Sequence, residues 1–302
     1  MHISVMLNET IKSLNIKEEG IYVDATLGRA GHALEIYKQL TKGTLIAFDK
    51  DTDAIEASKK ILGDKAKIIH DSFANIENTL DSLNIDKVDG FLFDLGVSSP
   101  QFDNEARGFS YRFDSKLDMR MDQTQSLSAY EVVNEYSEER LIEILKVYSD
   151  ERYAKGIVRN IIAARPVTTT FELVECIRKA YPYKDLKKGH PGKKTFQAIR
   201  MEVNNELGDI EKALAAAIKR VKVGGRVVVI TFHSVEDRLV KNIFNKVATP
   251  PKVNPRIPIP VESDISFKWI HKNKKPNKKE IEENNRAHSA ILRVIERMNE
   301  NG

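Results

Sequence analysis

Along the first part of the chain, apolar and polar positions change period at regular intervals. Ile21 and Val23 alternate with polar neighbours and predict a buried strand, and behind them Ala33, Leu34, Ile36, Tyr37 and Leu40 fall at helical spacing. A short helix over residues 8–14 precedes the pair. The same alternation recurs, with residues 45–49 as a strand, 53–62 as a helix, 66–70 as a strand and 76–83 as a helix. Residues 88–94 form a nearly continuous apolar run, the kind buried on both faces of a parallel sheet. Strands alternating with helices predict a doubly wound α/β sheet, whose ligands lie at the carboxyl ends of the strands.

From Ser126 onward the rhythm is different. Helical spacing runs through residues 128–136, 138–148, 151–164 and 170–180, with Ser and Thr at helix starts and Pro166 and Pro182 as breaks. A long amphipathic stretch over 195–221 then leads through Gly224 and Gly225 to a buried strand at 226–232. Because the sheet resumes, the helical block reads as an insertion rather than a second domain in tandem. The expected division is 1–104 and 200–302 for the sheet domain and 105–199 for the helical insertion. Residues 235–247 predict a helix and 249–260 a proline-rich extended connection. The last strand, 289–296, is expected to pair with 267–271. The segment 95–101 fits neither a strand nor a helix pattern.

Composition narrows the class without choosing a function. The chain has 302 residues, 41% apolar and 30% charged, the proportions of an ordinary soluble protein with a sizeable core. No apolar run approaches the length of a membrane span, and the first residues lack a charged start followed by a hydrophobic block, so the cytoplasm is the expected location. Cys176 is the single cysteine, which rules out an internal disulfide and a multi-cysteine metal site, and no metal site is expected. The net charge of +4 is mild, but its distribution is uneven. Lys187, Lys188, Lys193 and Lys194 surround His190-Pro191-Gly192, and residues 268–279 hold six lysines and no acid. Such stretches suit either a solvated loop or a polyanionic partner.

The candidate chemistry gathers at strand ends. Residues 24–32 read Asp-Ala-Thr-Leu-Gly-Arg-Ala-Gly-His, a glycine turn between a strand and a helix, where backbone can approach a ligand and free amides favour an anion. Asp49 follows Gly28 by about 20 residues, the interval at which a nucleoside-binding fold places its ribose acid. Phe73 and Asp94 fall just beyond and at the ends of the next two strands. Residues 107–113, Arg-Gly-Phe-Ser-Tyr-Arg-Phe, interleave rings with basic and polar side chains. Exposed, these rings would stack on unpaired bases; buried, they would pin the loop against the core.

Taken together, the turn at 24–32, Phe93-Asp94-Leu95-Gly96-Val97-Ser98-Ser99-Pro100-Gln101, Arg107-Gly108-Phe109-Ser110, residues 117–122, residues 195–200 and Phe232-His233-Ser234-Val235-Glu236-Asp237-Arg238 resemble the bacterial ribosomal RNA small subunit methyltransferase H family, also called MraW. The resemblance spans nearly the whole chain, with six motifs in the same order. It implies an α/β fold, a Rossmann-like class I methyltransferase sheet with an inserted all-helical domain. It further implies transfer of a methyl group from S-adenosyl-L-methionine to the exocyclic N4 of one cytidine in the decoding region of small-subunit (16S) ribosomal RNA. The implied cofactor contacts are Ala30, Gly31, His32, Asp49, Phe73, Asp94 and Gln101. Where the family often has glycine this chain has Ala30, and a contact through its amide requires that Ala30 avoid positive φ.

The rest of the site is read as follows. Ser99 is the candidate catalytic residue, a hydrogen-bond acceptor for the N4 N–H in a role that Ser98 or a loop carbonyl could also fill, and His233 at a strand end is more readily structural than a proton acceptor. Phe109, Tyr111, Arg112, Lys188, Lys193 and Lys194 are the candidate RNA contacts. Expected partners are small-subunit ribosomal RNA, free or within an assembled 30S particle, and a second copy of the chain as a homodimer; no membrane is expected. The rivals are a class I methyltransferase acting on another nucleic acid or a small molecule, a nicotinamide-dependent oxidoreductase, and a non-catalytic assembly factor. The oxidoreductase expects Gly-x-Gly-x-x-Gly, of which this turn has only Gly28 and Gly31.

Overall fold

The computed structural model describes residues 4–187, 189–250 and 265–300. Helix α1 (Leu7–Leu14) leads into β1 (Ile21–Asp24), α2 (Gly31–Lys38), β2 (Thr44–Asp49), α3 (Thr52–Leu62), β3 (Lys67–His70), α4 (Ile76–Ser82) and β4 (Val88–Asp94). A run of helices follows: α5 (Ser99–Asp103), α6 (Ala129–Glu135), α7 (Glu138–Ser149), α8 (Ala154–Ala164), α9 (Thr170–Ala180), α10 (Tyr183–Leu186) and α11 (Gly192–Val203). The chain closes with α12 (Glu206–Arg220), β5 (Val221–Thr231), α13 (Ser234–Ala248), β6 (Phe267–Lys274), α14 (Lys278–Glu283) and β7 (Ile291–Arg297). Among the described residues no helix is long and apolar enough to cross a membrane.

Two compact units divide the chain, one made of residues 1–96 and 207–302, the other of 97–206. In the first, a single sheet has the strand order β3-β2-β1-β4-β5-β7-β6. The pairs β1–β2, β1–β4, β2–β3 and β4–β5 are parallel, whereas β7 runs antiparallel to both β5 and β6. The order grows outward from β1 to β3, then restarts on the other side with β4, so the topological switch lies between β1 and β4. Both faces are covered, as the apolar run of β4 requires. Phe91 and Phe93 pack with Phe48, Leu214 and Phe244 on one face, while Leu92 joins Tyr22, Ile36 and Ile230 on the other. All are fully buried, and each such ring or branched chain contributes about 1.5–3 kcal/mol of burial.

Three sequence expectations change here. The segment 95–101 contains the start of helix α5, whose first turn holds Pro100 and whose Gln101 Oε1 accepts the N–H of Ser98 at 3.0 Å. This is one half of a capping box, a signal that outweighs the lack of periodicity in so short a helix. The long stretch over 195–221 is two helices, because Asn205 sits at φ 49° between them. Strand β5 begins at Val221 rather than 226 and carries Gly224 and Gly225 inside it. A Cβ on Gly225 would lie 2.6 Å from the Asp89 carbonyl oxygen, so only glycine allows β5 to pass β4 at that register shift. Of the proline-rich connection only Thr249 and Pro250 are among the described residues.

The helical unit has its own core, with Leu117, Met119, Val132, Leu141, Ile157, Leu173 and Ile199 packed together. It begins at Val97 and ends at Glu206, wider than the expected 105–199. The later end has a clear cause. Asn204 accepts the N–H of Met121 at 2.7 Å and donates to the Met119 carbonyl at 2.8 Å, and Arg200 holds Glu206 at 2.7 and 2.8 Å.

Candidate functional site

Strands β1, β2 and β4 each end in an aspartate, and the turn after β1 ties these ends together. Gly28, at φ 50°, donates its N–H to Asp49 Oδ2 at 2.8 Å. Thr26 Oγ1 accepts the N–H of Asp94 at 2.7 Å, and Asp24 Oδ1 accepts the N–H of Thr26 at 3.1 Å. Asp49 also takes the N–H of Asp51 on its other oxygen at 2.9 Å. The switch point between β1 and β4 is thus lined by Asp24 and Asp94, with Asp49 one strand away.

Burying one carboxyl and half-burying two more beside it has an electrostatic cost. Burial raises Asp24 to about 7, eased by the Thr26 amide and worsened by Asp49. Burial likewise raises Asp49 to about 6 against the pull of the Asp51 and Gly28 amides. Asp94 rises furthest, to about 8, through burial and then repulsion from Asp24 and Glu236. Among the described residues, Asp24 Oδ2 and Asp94 Oδ1 are buried and accept no hydrogen bond. Orphaned acceptors of this kind call for a missing donor.

The turn supplies the complementary end. Gly31 and His32 open α2, whose first amides have no carbonyl partner within the helix. A Cβ on Gly31 would lie 1.9 Å from Ser4 Oγ and 3.2 Å from Ser4 Cβ, so a side chain there would have to turn the Ser4 hydroxyl away. His32 is 5% exposed, its Nε2 donates to the Val5 carbonyl at 3.1 Å, and its Nδ1 lies 3.6 Å from Asp94 Oδ2. Ala30 departs from the expectation set for it. It sits at φ 59° and its N–H donates to the Leu27 carbonyl at 2.8 Å, so that amide closes the turn instead of facing a ligand. Any contact at Ala30 has to come from its remaining atoms.

Phe73 opens a short 3-10 turn after β3, half-buried and edge-on to Phe93 with ring centroids 6.0 Å apart. The turn is fixed from behind by a residue that no sequence motif singles out. Asp209 on α12 accepts the Ser72 hydroxyl at 2.7 Å and pairs with Lys50, so one carboxylate grips the neighbours of both Phe73 and Asp49. No local pattern signals this role, because the residues are far apart in sequence. Asp24 is legible, since an acid at a strand end is the signal that picks out Asp49 and Asp94. His233 caps α13, accepting the Glu236 N–H at 3.4 Å, with its Nε2 2.9 Å from the fully buried Glu236 carboxylate. That is the structural role expected of it.

In the helical unit, Gln101 is 6% exposed and engaged with Ser98; the Ser99 side chain and Lys188 lie outside the described residues. The expected RNA contacts separate into two groups. Phe109 is 3% exposed within the helical core, beneath the buried Arg107, so it is a packing ring and not a stacking surface. Tyr111 is half-buried, stacked on His190 at 4.0 Å and edge-on to Phe196. Arg112, Lys193 and Lys194 are exposed, and Lys194 Nζ donates to the Asp150 carbonyl at 2.9 Å.

Comparison with known proteins adds an independent line. Ribosomal RNA small subunit methyltransferase H of Mesoplasma florum is 51% identical over 98% of this chain and 99% of its own length. Its counterpart from Clostridium botulinum is also 51% identical, again over 98% and 99%. Among solved structures, an rRNA methylase from Streptococcus thermophilus matches 97% of this chain and 94% of its own at 12% identity and a TM-score of 0.43, too distant to add to the fold assignment. The family model described as the MraW methylase family matches residues 1–298, and the chain belongs to that family.

Proposed function

We propose that the protein transfers a methyl group from S-adenosylmethionine to the exocyclic N4 of a cytidine in the decoding region of small-subunit ribosomal RNA. Membership of a methylase family and the names of the relatives support the coarser reading, an S-adenosylmethionine-dependent rRNA methyltransferase. The finer one, N4 and the decoding region, rests on the motif resemblance. The observation that carries the cofactor assignment is the pair of buried carboxylate oxygens without a hydrogen bond, Asp24 Oδ2 and Asp94 Oδ1, beside the first turn of α2. Burial and mutual repulsion hold these acids at about 7 and 8, a cost that a bound cation relieves by restoring the carboxylate form, and a helix N-terminus favours an anion. S-adenosylmethionine joins an ammonium and a carboxylate on one carbon and supplies a methyl group activated on sulfonium.

The chain's residues then divide the work. Asp94 takes the ammonium, the amides at Gly31 and His32 meet the carboxylate, and Asp49 uses its remaining lone pairs for the ribose hydroxyls. Phe73 covers the adenine, and Gln101 completes the family's contact set. Cytosine N4 is a weak nucleophile because its lone pair is delocalised into the ring. Positioning therefore dominates, and no covalent enzyme intermediate is required. Ser99, or a carbonyl of the same loop, accepts a hydrogen bond from N4 and localises that lone pair. The target base must leave its stack to be methylated, which gives the exposed basic side chains Arg112, Lys193 and Lys194 their role on the phosphates.

The test is transfer of labelled methyl from S-adenosylmethionine to purified small-subunit particles and to naked small-subunit rRNA, followed by nuclease digestion and mass spectrometry. The expected product is N4-methylcytidine at one position in the decoding region. Label on another base, on cytosine C5 or on ribose alone overturns the N4 reading, and no transfer to either substrate overturns the rRNA assignment.

A further inference from the structure

With Phe109 buried and Tyr111 half-buried against His190, another ring has to meet the bases if any ring of the helical unit does. Among the described residues the most exposed large hydrophobic side chain is Tyr183, at 75%, with every other at 49% or below. A lone exposed ring needs no explanation by itself. Here three further features coincide with it.

The segment that carries the ring is anchored on both sides. Tyr181, just before α10, donates its hydroxyl to Glu151 Oε2 at 2.6 Å and packs against Tyr153 at 4.6 Å between ring centroids. Asp185, within α10, accepts the hydroxyl of Tyr153. Tyr183 lies between these two anchors and is exposed to solvent, so the backbone that carries its ring needs little further ordering on binding. Second, Lys187 places its ammonium 4.8 Å from the Tyr183 ring centroid, which covers one face and leaves the other open. Third, Lys184, Lys187 and Lys193 are exposed on the same stretch, and its one acid, Asp185, is engaged by Tyr153.

We infer that Tyr183, backed by Lys187, is a stacking platform for an unpaired base of the RNA substrate, which rests on the rRNA reading of the function. Single-stranded RNA offers both chemistries the patch requires, an aromatic face for the open side of the ring and phosphates for the ammonium groups. An acidic protein surface would satisfy the lysines and leave the ring in water.

The test uses the full-length protein with Tyr183→Ala, Tyr183→Phe and Lys187→Met, measuring binding of naked small-subunit rRNA by filter retention at several salt concentrations, alongside S-adenosylmethionine affinity by calorimetry. Removing the ring is expected to weaken RNA binding about 5- to 100-fold without changing the salt slope, because stacking releases no counterions. Tyr183→Phe keeps the face and stays within about twofold of wild type. Lys187→Met lowers the salt slope by about 0.7, the value for one phosphate on a single strand. Cofactor affinity is unchanged in all three, and the exposure of the ring makes a folding defect easy to separate by circular dichroism. Wild-type RNA affinity in Tyr183→Ala overturns the inference, as does equal loss in Tyr183→Phe, which would point to the hydroxyl. Loss confined to assembled particles, with naked-RNA affinity retained, assigns the ring to a ribosomal protein and also overturns it. If the wild-type protein neither binds nor methylates rRNA, the functional reading has failed instead.

Discussion

Asp94 links the site to pH in a way that can be measured directly. Its carboxyl stands at about 8, so at pH 7 only about one molecule in ten has it ionised. An ammonium facing Oδ1 requires the carboxylate form, and binding must therefore expel a proton. Below pH 8 the affinity for S-adenosylmethionine is expected to rise roughly tenfold for each pH unit. Between pH 5.5 and 7.5 the ligand's own α-amino group, with a pKa of about 8, stays charged, so the full rise across that window is on the order of 100-fold. Calorimetry in two buffers of different ionisation enthalpy counts the protons, and close to one per ligand should be released by Asp94 at pH 6.5. Asp94→Asn lowers both the slope and the proton count by about one and weakens binding at pH 7.5. A wild-type dissociation constant equal at pH 5.5 and 7.5 with no proton released would refute the reasoning, and so would an undiminished slope in Asp94→Asn.

The same carboxyls set a stability trend, a strained turn sets a second, and the pocket walls set two more. Asp24, Asp49 and Asp94 hold their protons in the folded state well above the unfolded value of about 4. Folded stability without ligand therefore falls as pH rises from about 4 through about 8; urea unfolding should show a lower midpoint at pH 8 than at pH 5, and equal midpoints would contradict it. Ala30→Gly relieves a left-handed alanine and should raise stability by about 0.5–1 kcal/mol after glycine's entropy cost, read from denaturant curves, with a loss counting against the assigned φ. Asp209→Ala frees Lys50 and Ser72 together, and is expected to cost about 3 kcal/mol of stability and to weaken adenosine binding more than methionine binding; equal weakening would deny it a role at the adenine end. Asp49→Ala should abolish cofactor binding and leave RNA binding largely intact, whereas Lys193→Ala with Lys194→Ala should weaken RNA binding without changing cofactor affinity, and a variant that loses both ligands equally would erase the division of labour.

Much of the sheet is legible in the sequence because its strands are buried on both faces and its helices on one, so period and apolar content carry the information. The bounds 88–94 and 170–180 agree to the residue, the first from an apolar run and the second from helical spacing with a threonine start. The failures share a cause. Short elements have too few residues to show a period, so α5 escapes a periodicity reading although Ser98, Pro100 and Gln101 spell out its cap. The break at Asn204 and Asn205 is hidden inside a stripe that continues across it. At the candidate site, the strand-end rule places Asp49 and Asp94 at strand ends and Phe73 just beyond one, where the structure also has them. It cannot foresee that Ala30 uses its amide to close the turn, or that Phe109 turns inward while Tyr183 stays out, since exposure is set by tertiary packing. Glycine spacing alone separates the nicotinamide rival, because Gly28 and Gly31 do not complete its fingerprint, and membership of a methylase family agrees with that choice.

The strand order also has a consequence for synthesis. The helical unit is continuous, residues 97–206, and can begin to pack as soon as it has left the ribosome. The sheet unit cannot finish then. Its last strand in sequence, β7, lies between β5 and β6, and Arg293 on it is the partner of Asp237 at the start of α13. At about 5–20 residues per second, the residues after 206 take roughly 5–20 s to appear. For that interval β4 and its exposed apolar edge await β5, and the pocket aspartates have no completed sheet to stand on. The unit proposed to meet RNA is thus made ready before the unit proposed to carry the methyl donor, and in the nascent chain RNA affinity is expected to precede catalytic competence.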